Sequence, residues 1–463
     1  MTVAPPSSRC YASPLAWMLF CATSACSASS SLASSLAGHA SADAGFVGLD
    51  SAVSDQTDMA SDDSGVTPTD DGAISSPQGT GAVGIPTDDG TTNDAGVPHA
   101  NGGNGSPFPF KPAYILGADI SWETQHEAEG YTYSDGKSTK TMSAIMAENG
   151  FNFIRLRTFV DPSASDGYSP GQNWCGQADT VTMAKRAKAC GMGVFIDFHM
   201  SDTWESLGTN ANPSAMPLAW RGLSQTVPST PVSASTHLTN NLYQTAHDYV
   251  VGVMQALVAA GAKPDMVQIG NETNSGISGI PMSNWPAFSA LVNAGITAVR
   301  ETDPQIIVWA QNGRPRPNSA GGNNFTGWVD EYLSDKPPNT RSIDEDGICG
   351  STYGTTDNGA DWTTSFDYVI STYNKPVMSC EYSDQSPNSP AGAIINRVMR
   401  AFPNNRGRGS FIWEPADYPS VNGSGTLFTL AGKVYTTNAA MTAYPTLAKS
   451  YNLAVPSGTC QGP

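Results

Sequence analysis

Beyond residue 113 the hydrophobic pattern alternates between two kinds of segment. Short apolar runs of strand type stand at 114–119 (YILGAD), 153–157 (FIRLR), 193–199 (GVFIDFH), 266–270 (MVQIG), 306–310 (IIVWA), 347–351 (GICGS), 376–380 (PVMSC) and 409–413 (GSFIW). Runs that stay apolar on both faces suit strands buried in a parallel sheet. Longer stripes at i, i+3, i+4 spacing lie between them and predict helices. Residues 242–258 place Leu242, Ala246, Tyr249, Val250, Val253, Met254, Leu257 and Val258 on one face, and Gly261 ends the pattern. Residues 286–300 do the same with Phe288, Leu291, Val292, Ile296 and Val299 before Asp303-Pro304. Residues 391–402 do so with Ile394, Ile395, Val398, Met399 and Phe402. Strands alternating with such helices, over about 350 residues, predict a (β/α)8 barrel with long loops after the strands. One domain, residues 108–463, is expected to hold it.

The N-terminal part has a different character. Residues 11–25 form an apolar run after a single cation, Arg9. This is short of the roughly 20 apolar residues a membrane-spanning helix needs, so residues 1–26 are expected to be an export signal. Thr23-Ser24-Ala25-Cys26 loosely resembles a bacterial lipoprotein cleavage site, with Thr where Leu is usual. A lipid anchor at Cys26 and free secretion therefore both stay open. Residues 27–107 are rich in Ser, Ala, Gly, Asp, Thr and Pro, with Phe46 as the only aromatic. They lack the apolar surface to offset ordering entropy and predict a disordered linker.

Charge refines this division. Of the formal net charge of −18, eleven Asp, with no Lys, Arg or Glu, fall within residues 27–107. The acidity thus describes a solvated tether and says little about a substrate. It does exclude a nucleic-acid partner, which would need a basic face. The cysteines show no zinc or CxxC spacing. Five follow the presequence (Cys175, Cys190, Cys349, Cys380 and Cys460), enough for two bridges at most. Their pairing stays open; Cys349 and Cys380 lie at comparable depths in two strands, as a buried pair or as a bridge.

Barrel geometry gathers the residues that follow each strand at one mouth. The chemistry of this chain is concentrated there: Arg155 and Arg157 after strand 2, Asp197 and His199 after strand 3, Asn271-Glu272 after strand 4, Tyr353 after strand 6, Glu381 after strand 7 and Trp413-Glu414 after strand 8. Carboxylates on strands 4 and 7 face each other across such a mouth. A retaining glycosidase needs two carboxyl groups at roughly 5–5.5 Å, one as acid/base and one as nucleophile. Arg157 is expected close to Glu381, where its cation would keep the carboxylate ionised. Tyr353 is expected to donate its hydroxyl to Glu381, and Trp413 to give a sugar a stacking floor. Asn271 suits a sugar 2-hydroxyl. His199 suits a substrate contact or a supporting role beside Asp197. Glu414, before Pro415, reads as structural.

Several motifs together resemble glycoside hydrolase family 53. They are Gly117-Ala118-Asp119-Ile120-Ser121-Trp122, Ile154-Arg155-Leu156-Arg157, Trp174-Cys175-Gly176, Ala184-Lys185-Arg186-Ala187-Lys188, Ile196-Asp197-Phe198-His199-Met200-Ser201-Asp202-Thr203-Trp204, Gln268-Ile269-Gly270-Asn271-Glu272-Thr273-Asn274 and Trp413-Glu414-Pro415. The resemblance implies a secreted, retaining endo-β-1,4-galactanase acting on type I arabinogalactan of plant cell walls, without a cofactor. It implies Glu272 as acid/base and Glu381 as nucleophile. Asp119, in the first motif, joins Arg157, His199, Asn271, Tyr353 and Trp413 in the expected substrate-binding set. Met200 stands where the family commonly has Tyr, and the segment Trp309-Ala310-Gln311-Asn312-Gly313 departs from the usual form. The loop after Glu381 lacks a cluster of acidic ligands, so the calcium of some members is not expected, and no metal site is assigned. A monomer is expected. The competing readings are another retaining β-1,4-glycanase, such as a mannanase or endoglucanase, and a catalytically silent polysaccharide-binding surface protein. Two intact carboxylates speak against the last.

Overall fold

The computed structural model describes residues 114–460 apart from 318–323, 334–342, 344, 354–358, 384–390 and 417–426. The expected signal, linker and Cys26 anchor lie outside the described residues. Eight parallel strands form a closed barrel: β1 (Ile115–Asp119), β2 (Phe153–Thr158), β3 (Gly193–Phe198), β4 (Met266–Ile269), β5 (Ile307–Asn312), β6 (Gly347–Ser351), β7 (Val377–Tyr382) and β8 (Gly407–Trp413). Each is hydrogen-bonded to its neighbours in sequence, and β8 closes on β1. Every strand expected from the apolar runs is present, shifted by two residues at most.

Helices connect the strands. α1 (Glu123–Ala128) and α2 (Met142–Glu148) follow β1, α3 (Gln177–Ala189) follows β2, α4 (Leu242–Ala259) follows β3 and α5 (Trp285–Thr302) follows β4. Then come α6 (Phe325–Leu333), α7 (Ala360–Tyr373), α8 (Ala391–Ala401) and α9 (Ala443–Ser450). The start of α4 is fixed by Asn241, whose side chain accepts from the backbone N–H of Tyr243 and Gln244. Its predicted apolar face is buried from Leu242 to Leu257 apart from half-buried Tyr249, but Val258 at the end of the stripe is exposed. No helix among the described residues is long and apolar enough to cross a membrane. The hydrophobic reading did not anticipate a four-stranded sheet of Phe428–Ala431, Val434–Thr437, Thr132–Ser134 and Thr139–Lys140, which pairs the loop after β1 with the loop after β8.

Alternation along the strands divides the core in two. Outward residues such as Leu116, Ile154, Leu156, Ile196 and Val267 pack against the helices. Inward residues fill the barrel itself: Ile115, Phe153, Phe195, Met266, Ile307, Trp309, Cys349, Met378, Cys380 and Phe411. A Cβ on Gly117 would run into the ring of Phe411, so the small residue on β1 makes room for the large one on β8. One inward position further along, the apolar layer gives way to a polar one: Asp119, Arg155, Asp197, Gln268, Gln311 and Ser351 are all buried.

A β-bulge marks the boundary on β7. Gly350 pairs with Ser379, but the next residue, Ser351, pairs with Glu381, so Cys380 is an extra residue on β7. Bulges re-aim side chains next to active sites. Here consecutive residues both serve the barrel interior: Cys380 forms a disulfide with Cys349 in the apolar layer, and Glu381 reaches the mouth. A second disulfide, Cys190–Cys460, ties the end of α3 to the C-terminal segment, and Cys175 is free and buried.

The ring of Phe411 is the centre of the apolar layer, in contact with Phe153 and Phe195 at ring-centroid distances of 6.5 and 5.4 Å. Phe411→Ala should cost about 3–5 kcal/mol, as expected for emptying a core aromatic site. The shift in denaturation midpoint, with both disulfides intact, measures it.

Candidate active site

Glu272 is placed by an abrupt change of direction at the end of β4. Gly270 has φ +82°, and a Cβ there would lie 2.6 Å from Thr273 Cγ2, so glycine is needed both for its dihedral and for its size. Glu272 itself takes the left-handed conformation, with φ +48°. A non-glycine residue persists there only when its surroundings hold it, and such residues cluster at functional sites. The surroundings are specific. Ser351 Oγ donates to Glu272 Oε1 at 2.6 Å, and the Leu207 backbone N–H donates to Oε2 at 3.0 Å. Gly313 leaves the space, since a Cβ there would sit 2.8 Å from Glu272 Cδ.

Glu381 accepts three hydrogen bonds or ion-pair contacts. Arg155 Nη2 lies 2.8 Å and Gln311 Nε2 2.9 Å from Oε1, and the Tyr353 hydroxyl is 3.0 Å from Oε2. The expected Tyr353 contact is therefore present. The expected Arg157 contact is not, and the cation beside Glu381 is Arg155. Both arginines point inward from β2, but they sit at different depths. Arg155 reaches across the polar layer to Asp119 (2.8 Å), Asp197 (2.8 Å), Asn271 Oδ1 (3.0 Å) and Gln311 Oε1 (3.3 Å). Arg157, one inward position higher, turns to Glu414 at 2.5 Å and lies under Trp204 and Trp122, 4.5 and 5.1 Å from their ring centroids.

Glu272 is held in an environment that favours its protonated form. Burial pushes the Glu272 carboxyl up to about 7, and the nearby Glu381 charge adds to the shift; donation from Ser351 and Leu207 and the Arg155 cation oppose it. That is the behaviour of a group that can carry a proton near neutral pH.

The remaining sequence-predicted residues separate into two groups. Asn271 and Trp413 stand at the mouth. Asn271 is oriented by Arg155 and by donation of its amide to Glu205 O at 2.8 Å. Trp413 joins an aromatic cluster with Trp122 and Trp204, at centroid distances of 5.3 and 6.4 Å. Asp119 and His199 are buried with their polar groups engaged by protein, and Arg157 is buried and ion-paired to Glu414 through Nη1. Both Asp119 oxygens are taken, by Ser121 and by Arg155. His199 Nδ1 accepts from the Glu205 N–H at 2.9 Å, which leaves Nε2–H to donate to Asp197 at 3.0 Å. These two contacts are compatible with the supporting role beside Asp197.

Arg155, Gln311, Ser351 and Glu205 were absent from the expected set. Arg155 shares the inward parity of Arg157, and Gln311 and Ser351 are polar residues ending apolar strands, so a signal existed for each. Glu205 had none. It is buried in the loop after β3 and accepts from the backbone N–H groups of Met200, Asn271 and Ser278 at 3.2, 3.3 and 2.9 Å. Burial pushes its carboxyl up to about 6. Among the described residues no group of three or more His, Cys, Asp or Glu could hold a metal ion, and the loop at 384–390, part of the calcium expectation, lies outside them.

Comparison with known proteins agrees with this arrangement. The family model described as glycosyl hydrolase family 53 matches residues 115–446. An endo-β-1,4-galactanase of Bacillus subtilis is 29% identical over 340 residues, covering 66% of this chain and 71% of its own. An arabinogalactan endo-β-1,4-galactanase of Thermothelomyces thermophilus is 28% identical over 351 residues, covering 68% and 95%. Among solved structures, the GH53 catalytic domain of Ignisphaera aggregans superposes with a TM-score of 0.57 at 22% identity, over 73% of this chain and 98% of its own. It shares the fold.

Replacing Arg155 by Met should strand three buried carboxylates without their common cation. A loss of about 3–5 kcal/mol is expected for removing one partner of a buried ion pair. Chemical denaturation near neutral pH reads it, and a variant as stable as the parent would show that the network contributes nothing net.

Proposed function

The chain belongs to glycosyl hydrolase family 53, and we infer that it is an endo-β-1,4-galactanase that hydrolyses the galactan backbone of type I arabinogalactan. In this reading Glu381 attacks the anomeric carbon of a β-linked galactosyl unit while Glu272 gives its proton to the departing oxygen. A covalent galactosyl-enzyme forms. Glu272, now ionised, takes a proton from the water that releases the sugar, so configuration is retained. Asn271, Tyr353 and Trp413 are the proposed sugar contacts.

The observation that carries this reading is the contrast between the two carboxylates. Glu381 is surrounded by three donors, one of them a guanidinium, which suits a nucleophile that attacks as an anion. Glu272 is pushed up to about 7, which suits an acid that must begin protonated. Every group in this arrangement comes from one chain, so a monomer is a sufficient unit. No cofactor enters the reaction as proposed. Secretion is proposed from the apolar run at residues 11–25, and the two disulfides support an oxidising destination. Whether Cys26 carries a lipid is a separate question, answered by mass spectrometry of the exported protein.

The test is hydrolysis of unbranched β-1,4-galactan by the full chain, beside β-mannan and cellulose. Galactan should be cut, with the β-anomer as first product by NMR; cleavage of mannan or cellulose alone would keep the carboxylate roles and sink the substrate. Glu272→Gln should lower kcat/KM by roughly 10²- to 10⁴-fold, the usual contribution of a general acid/base. Glu381→Gln should be inactive. Because Glu272 must be protonated to act, kcat/KM should decline as pH rises through about 7. Gly313→Ala should push the Glu272 side chain aside and cost roughly 10²-fold in kcat with the melting temperature little changed, since small misplacements of reacting groups have effects of that size.

A further inference from the structure

We propose that Gln311 is a positioning residue that ties the two carboxylates together and sets the direction of a hydrogen-bond chain ending on Glu272. Gln311 is on β5, fully buried, between the strands that carry Glu272 and Glu381. Its Nε2 lies 2.9 Å from Glu381 Oε1 and 3.1 Å from Ser351 Oγ. Its Oε1 lies 3.3 Å from Arg155 Nη2, 3.3 Å from the Glu272 backbone N and 2.5 Å from Gln268 Nε2.

Chemistry fixes which end of this amide is which. A guanidinium and a backbone N–H can only donate, so the atom facing them is the oxygen. An ionised carboxylate can only accept, so the atom facing Glu381 is the nitrogen. The second hydrogen on that nitrogen then goes to Ser351 Oγ. Ser351 is thereby an acceptor from Gln311, and its single proton is left for Glu272 Oε1, 2.6 Å away. The order is one-way, from the Gln311 amide to the Ser351 hydroxyl to Glu272.

This order matters to both halves of the reaction. In the first, Glu272 loses its proton, and the resulting anion is met by donors from Ser351 and from the Leu207 N–H. In the second, the same donors hold Glu272 as the base that takes a proton from water. With the amide gone, nothing fixes the Ser351 hydroxyl as a donor to Glu272, and Glu272 loses a held donor. The other groups that face Glu272 are the Arg155 cation from β2, the Glu381 anion from β7 and the Tyr353 hydroxyl after β6. Of these, Arg155 and Glu381 also bond to Gln311, so Ser351→Ala is the variant that leaves their own contacts intact.

The inference rests on Glu272 as acid/base, so the parent protein's own pH profile is recorded first. If its kcat/KM shows no decline through neutral pH, that assignment fails. Given the decline, Gln311→Leu should move it to higher pH by about one unit, in the range that loss of a hydrogen bond to a charged group allows. KM should change less than kcat. Ser351→Ala, which breaks the chain at its next link, should move the decline by a similar amount. The double variant should move it no further than Gln311→Leu alone, because Ser351 acts on Glu272 through the link that Gln311 sets. A decline unmoved in Gln311→Leu, with a melting temperature like the parent's, would overturn the proposal and leave Gln311 as core packing. Should Gln311→Leu fail to fold, an unmoved decline in Ser351→Ala would overturn it equally. So would shifts that add in the double variant.

Discussion

The active end of this barrel depends on one buried cation. Arg155 brings a guanidinium to the centre of the strand layer, where Asp119, Asp197 and Glu381 converge on it within 2.8 Å. None of these carboxylates would tolerate that depth as an anion by itself, because desolvation costs several kcal/mol per charge. Nor would the arginine. The residues therefore exist as a set, and the set spans strands β1, β2, β3 and β7. Orientation at the mouth follows from it. Arg155 holds Asn271, and Asp197 holds the ring of His199, which receives the N–H of Glu205. Glu205 in turn gathers three backbone N–H groups from the loops after β3 and β4.

The change from apolar to polar along the barrel axis makes such a set affordable. Below it, rings and methyl groups close the barrel interior to water. Above it, Tyr353 and Trp413 are partly open to a ligand. Two local irregularities adapt a regular barrel to its chemistry: the bulge on β7, and the left-handed turn through Gly270 and Glu272. Each re-aims one carboxylate. Regular strand geometry on β7 would alternate Glu381 away from the barrel interior.

Much of this was legible in the sequence, for identifiable reasons. The strands were legible because residues buried on both faces leave an unbroken apolar run, and the parallel barrel follows from helices in between. Glu272 and Glu381 were legible because each interrupts such a run at its C-terminal end. What periodicity does not carry is depth and reach. Arg155 and Arg157 have the same parity on one strand, and depth along the barrel separates them: Arg155 meets Glu381 and Arg157 meets Glu414. Asp119 and His199 have polar side chains at strand ends, which describes a ligand contact and a buried brace equally well. Glu205 lies in a loop with no periodicity, and its importance comes from backbone groups that no side-chain pattern records. The small sheet between the loops after β1 and β8 joins segments about 300 residues apart, and long-range pairing of that kind leaves little local trace.

The two disulfides act over different ranges of the chain. Cys349 and Cys380 are 31 residues apart and belong to a single strand–helix–strand unit, so their bond closes a short loop. Both are fully buried in the finished protein, beneath the layer that holds Glu381. Cys190 and Cys460 are 270 residues apart, so their bond joins the end of α3 to a segment distant along the chain. One bond is local to two neighbouring strands and locks the floor beneath the proposed nucleophile, and the other staples the outer face of the barrel.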